Sequence, residues 1–177
     1  MSVEVVHAMV APSDETGVDA RSVDDAARDD ASAAVTVDVP PAGVPSPYDI
    51  EVAWEGGLRF RGGPEGGPTL VIDGEREVAP SPVDSVVVAL AACSAIDIVH
   101  ILEKRRTPPS DIAVRVRFSR AATPPRRLTE VHLQWRVATE SERHHVERAI
   151  NLSMEKYCSV SASLAPDTRL TWALVDD

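Results

Sequence analysis

The run Ser81-Pro82-Val83-Asp84, continued as SVVVALAACSAIDIVHIL over residues 85–102, decides the fold. Ser81 is placed to N-cap a helix and Pro82 to take its first position. Asp84 can close a capping box at the third position and suits the positive end of the helix dipole. Lys104-Arg105-Arg106 fits a helix C-terminus, and Pro108-Pro109 stops the helix. The segment is apolar almost all round, which predicts a central helix rather than a surface one. Ala89, Ala91, Ala92, Ser94 and Ala95 permit close packing. Asp97 and His100 interrupt the run, and a bilayer span needs roughly 20 largely uncharged residues. The expectation is a core helix in a soluble, cytoplasmic protein without a membrane partner.

Upstream of this helix the pattern has period two. Tyr48, Ile50, Val52 and Trp54 share one face of a strand, with Asp49 and Glu51 on the other. Gly56-Gly57 supplies a turn, and Leu58 and Phe60 alternate with Arg59 and Arg61 in a second strand. Gly62-Gly63-Pro64 and Gly66-Gly67-Pro68 predict a loose turn before a third strand at 69–73.

Downstream, 111–118 and 128–137 predict two strands joined as a hairpin by SRAATPPRR, with Val131, Leu133, Trp135 and Val137 inward. Thr139 and Glu142 have capping-box spacing. Val146, Ile150, Met154 and Tyr157 then mark one face of a second helix. A short helical turn follows Cys158, and Leu170, Trp172 and Leu174 form a last strand. The order βββ-α-ββ-α-α-β predicts the α+β class.

The chain has 177 residues, enough for one ordinary domain with its own core. Its formal charge is -10, which disfavours nucleic acid as a partner. The charge is uneven. Residues 1–46 hold nine acids and two arginines, a net of -7, while the remainder carries only -3. The first segment has no aromatic residue and no steady period, so it reads as an acidic, disordered or weakly ordered tail, with 47–177 as the folded domain. The first residues lack a basic region followed by an apolar stretch, so no signal peptide is expected.

Chemistry rests on few residues. Two cysteines are too few for a disulfide-stapled secreted module. The five histidines show no metal-ligand spacing, and adjacent His144 and His145 are expected to point to different parts of a helix surface. No metal or cofactor is expected, and no nucleophile-elbow or dinucleotide signature is present. The glycines at 62–67 lack the Lys-Ser/Thr and helix of a phosphate loop. Cys93, read alone, suits a small core residue as well as a nucleophile. Cys158 stands between a helix end and a short helix, where terminal amides could favour a thiolate, and local sequence alone leaves that reading and a small core residue equally open.

Together these residues carry a resemblance. APSPVDSVVVALAACSAID, with Cys93, is followed 65 residues on by EKYCSVSA, with Cys158. The early AWEGG at 53–57 fits as well. In these stretches the chain resembles the OsmC/Ohr family of osmotically induced and organic-hydroperoxide-resistance proteins, over about residues 47–176.

The resemblance implies an intertwined homodimer, with curved antiparallel sheets around a long central helix and two active sites at the subunit interface. It implies a thiol-dependent peroxidase that reduces organic hydroperoxides, with Cys93 as the peroxidatic cysteine, Cys158 as the resolving one, and a dithiol or thiol reductant. The activating cation it implies is Arg59, with Arg61 as the alternative. The peroxidase members typically carry a Glu directly after the helix-start proline. Here that place is Val83, and the carboxylate comes one residue later as Asp84, which is either a site residue or a capping residue. This departure keeps a second reading open: a protein of the same fold that senses redox state or binds a small apolar ligand, without peroxidase turnover.

Overall fold

A computed structural model describes residues 49–175. The acidic segment 1–46 lies outside the described residues. Ten elements follow in order: β1 (Ile50–Gly56), β2 (Arg59–Pro64), β3 (Leu70–Asp73), α1 (Pro82–Lys104), β4 (Asp111–Arg120), β5 (Leu128–Ala138), α2 (Arg143–Leu152), a π-helical turn (Ser153–Tyr157), α3 (Ser159–Ala162) and β6 (Arg169–Leu174). The α+β order is the expected one.

The strands form two three-stranded sheets, β1-β2-β3 and β4-β5-β6. The first is antiparallel throughout. Its β1–β2 turn uses Gly56 and Gly57 at φ +102° and +57°, a region that favours glycine. Gly62 and Gly63 do not form the expected turn. They continue β2 and pair with Val52 and Glu51. A Cβ on Gly63 would come within 2.4 Å of the Pro68 carbonyl oxygen, so glycine here permits close backbone approach. The turn itself is confined to the residues that follow Pro64.

In the second sheet β4 and β5 are antiparallel, but β6 runs parallel to β5. The chain leaves β5 at Ala138 and returns through α2, the π-helical turn and α3. A crossover of that length can bring a strand back in the same direction. Leu90, Ile98 and Leu102 of α1, Val131, Leu133 and Trp135 of β5, and Ala149 and Ile150 of α2 are fully buried together.

Ser81 and Asp84 form the predicted capping box. The second one does not form. Glu142 takes the N-cap of α2 without a side-chain hydrogen bond. Thr139 instead donates to the Thr107 carbonyl at 2.8 Å and accepts from the Ser141 amide at 3.2 Å. Tyr157 also departs from its predicted stripe and is 48% exposed. The π-helical turn causes this: the Cys158 amide bonds to the Ser153 carbonyl, five residues back, at 2.9 Å, which shifts the helical phase.

The first sheet covers little of this core. Ile50, Val52, Trp54, Leu58 and Phe60 are exposed on it, as are Val86, Val88 and Ile96 on α1. The helix is therefore buried along one face only.

Candidate thiol site

Cys93 lies in the middle of α1, half-buried, and Cys158 is buried just before α3. Both are free thiols, close enough that each perturbs the other's ionisation. The phase shift of the π-helical turn delivers Cys158 to this place. Its Sγ accepts the Ser161 amide at 3.4 Å and lies 4.0 Å from the Leu90 carbonyl oxygen. Ser161 Oγ donates back to the Cys158 carbonyl at 2.7 Å and fixes that corner.

The electrostatics of the two thiols are unequal. Burial opposes a thiolate at Cys158 most strongly. The Ser94 hydroxyl, the Ser161 amide and the Cys93 thiol outweigh it, so its pKa is lowered. At Cys93 the Val160 amide is the strongest influence and favours the thiolate. Burial and the neighbouring Cys158 together prevail, and the Cys93 pKa is raised. The two groups titrate as a pair, and a proton lost from one is more costly to lose from the other.

The other predicted site residues lie on different elements. Arg59 and Arg61 are exposed on β2. Arg61 pairs with Glu55. Arg59 sits opposite Asp73 in the β2–β3 register and has no ion-pair partner among the described residues. The local groups acting on Cys93 are the amides of Val160 and Ser159 and the Cys158 thiol.

Asp84 is engaged at the start of α1. It accepts from the Ser81 amide and hydroxyl and is gripped by Arg76. Nine residues separate it from Cys93. At about 100° per residue that is roughly half a turn, so the two stand on opposite faces of α1.

Four residues here were not singled out as site residues from the sequence. Ser94 is fully buried and acts on Cys158. Ser153, also fully buried, donates to Asp97 of α1 at 2.8 Å and ties the π-helical turn to the helix. Ser161 holds Cys158, and Arg76 holds Asp84. The serines next to each cysteine were the available signal. Arg76, at φ +62° in a loop, had none. His144 and His145 also differ from expectation. They occupy the first turn of α2 with ring centroids 3.7 Å apart, and together with Glu142 they place three possible metal-ligand atoms within 4.8 Å of one another.

The two thiols thus lie between a long apolar helix and the corner after a π-helical turn, in an α+β domain with two sheets. The OsmC-like protein family model matches residues 73–173. Protein YhfA of Escherichia coli is 38% identical over 122 residues, which cover 68% of this chain and 91% of that protein. The chain belongs to the OsmC/Ohr family. A hypothetical protein from Aquifex aeolicus superposes with a TM-score of 0.64 at 26% identity, covering 73% of this chain and 97% of that one. The Legionella pneumophila organic hydroperoxide resistance protein OsmC shares the fold, with a TM-score of 0.56 at 19% identity, over 73% and 98% of the two chains.

Proposed function

We propose that the protein is a thiol-dependent peroxidase that reduces organic hydroperoxides through Cys93 and Cys158. The observation that carries this reading is that Cys158, 65 residues after Cys93 in sequence, is brought against α1 beside it: its Sγ lies 4.0 Å from the carbonyl oxygen of Leu90, three residues before Cys93. The Cys93 thiolate attacks the O–O bond, takes one oxygen as a sulfenic acid, and releases an alkoxide that is protonated to the alcohol. The Cys158 thiol condenses with the sulfenic acid to give a disulfide and water. A dithiol reductant then returns both thiols by exchange and is itself oxidised to a disulfide.

The working unit is a homodimer. The exposed apolar residues of β1, β2 and α1 need a cover, and a second copy of the chain, carrying the same apolar face, can supply it. Arg59 is the preferred activating cation, because the Arg61 charge is shared with Glu55. Provided across the interface, it would lower the Cys93 pKa. The protein acts in the cytoplasm, which keeps resting thiols reduced.

The experiment is thiol titration after a stoichiometric addition of cumene hydroperoxide. Wild type is expected to lose two thiols per chain, and Cys93→Ser to lose none. Retention of both thiols by wild type would reject the reading.

A second reading is supported by the Arg76–Asp84 pair. It occupies the carboxylate next to Val83, so no acid is left at the head of α1 to orient Arg59. On that reading the thiols sense redox state without turnover. Stoichiometric thiol loss without multiple turnovers under excess dithiothreitol selects it.

A further inference from the structure

Beyond the thiol pair, α1 and α2 enclose a second cleft of about 750 Å³. This is within the usual range of small-molecule sites, roughly 300–1,000 Å³. Its charged lining is Lys104, Arg105 and Arg148 against the single carboxylate of Asp97, which already accepts from Ser153. His100, His145 and Tyr157 complete the polar wall.

None of Lys104, Arg105 and Arg148 has an ion-pair partner among the described residues. The nearby acids pair with other groups: Glu103 with His100 of the cleft wall at 3.5 Å, Glu142 with His144 at 3.2 Å, and Glu147 with Arg143 at 2.9 Å. The helix dipoles do not neutralise the cleft. Asp97 meets Ser153 at one end and Arg105 acts on His145 at the other, so the helices run antiparallel. The negative end of α1 then lies beside the positive end of α2, and the two largely cancel.

The repulsion within the cluster is felt locally. The His145 pKa is lowered by burial first, and then by Arg105, His144 and Arg148, against Glu142, which raises it. Three cations gathered on a concave wall that holds one carboxylate leave an excess of positive charge, which favours an anion.

We propose that this cleft is a binding site for a small organic oxyanion, a polycarboxylate or a phosphate ester, gripped by Arg105 and Arg148 with Lys104 beside them. Guanidinium groups suit either anion, because their paired donors match carboxylate and phosphate oxygens. The Tyr157 ring in the wall offers an apolar surface to the rest of such a ligand. The cleft begins one turn beyond Cys93 on the same face of α1, and the proposal stands independently of any peroxidase activity.

The test is calorimetric titration of the full-length protein with citrate, inorganic phosphate and, as a neutral control, glycerol. Citrate or phosphate is expected to bind while glycerol does not, and the stronger of the two identifies the headgroup class. Added salt should weaken binding. Arg105→Ala/Arg148→Ala is expected to weaken it at least about tenfold, the loss of one or two charge-assisted contacts. Both side chains are exposed, so the thermal midpoint of the variant should stay close to wild type. If the double variant does not fold, Arg148→Ala alone should weaken binding about threefold or more. No heat from either anion up to about 10 mM, a range weaker than ordinary ligand affinities, overturns the proposal. Equal binding by wild type and a folded variant also overturns it.

Discussion

Arg76 grips Asp84 with both prongs of its guanidinium: Nη2 lies 2.9 Å from Oδ1, and Nε reaches Oδ2. Asp84 also completes the capping box with Ser81. The carboxylate thus joins the β3–α1 loop to the first turn of the longest helix. Arg76, and then Ser81, hold its pKa well below the usual carboxylate range. A depressed carboxylate contributes stability above its unfolded pKa of about 3.9, and that stability is lost as pH falls through and below this value. Asp84→Asn should lower the thermal midpoint at pH 7 and reduce the further fall between pH 5 and 3. An unchanged acid slope would show that Asp84 is not the group responsible. Ser81→Ala should cost about 1 kcal/mol through the lost cap.

The thiol pair predicts a reciprocal effect in ultraviolet thiolate titration. Cys158 helps to raise the Cys93 pKa, so Cys158→Ala should let Cys93 ionise at lower pH than in wild type. Cys93→Ala should do the opposite to Cys158, which loses a partner that favours its thiolate. The sign follows because one thiol donates while the other accepts. Independent titration of the two variants, each matching one wild-type step, would remove the coupling on which the proposed chemistry depends.

The first capping box, the long helix and the order of elements along the chain were legible in the sequence because each depends on local spacing or on a family pattern. Three features were not. Gly62-Gly63 reads as a turn in any local window, and only pairing with Val52 and Glu51 across the sheet makes it strand. The Val146–Ile150 stripe gives no warning that the next turn widens, so spacing alone puts Tyr157 on the same face. Arg76 is separated from Asp84 by a loop whose positive-φ geometry no residue pattern announces. The alternation of Ile50, Val52 and Trp54 was visible as one face, but not what covers it.

That face supplies the third prediction. Trp54 and Phe60 are register partners on β1 and β2, and they are 67% and 40% exposed. If a second copy covers them, sedimentation should give twice the 19.0 kDa protomer mass. Trp54→Asp/Phe60→Asp should release monomers, because two carboxylates would be desolvated at an apolar interface. A wild-type monomer at micromolar concentration would contradict the dimer.

Ser153 carries the last prediction. It is fully buried in the π-helical turn, and its hydroxyl reaches across to Asp97 on α1 at 2.8 Å. The same residue's carbonyl accepts the Cys158 amide, so the bond anchors the segment that sets the position of Cys158. Ser153→Ala leaves the backbone bond intact but deprives a half-buried carboxylate of its donor, at a cost of about 1–3 kcal/mol. Disulfide formation after peroxide should slow in this variant while Cys93 still forms a sulfenic acid, detectable by trapping with a dimedone-type reagent. Ser153→Thr, which keeps the hydroxyl, should restore part of the rate if it packs. The ratio of trapped sulfenic acid to disulfide separates positioning of Cys158 from general loss of stability, since unfolding alone would expose both thiols. A variant that forms the disulfide at the wild-type rate would show that the anchor to Asp97 does not control where Cys158 stands.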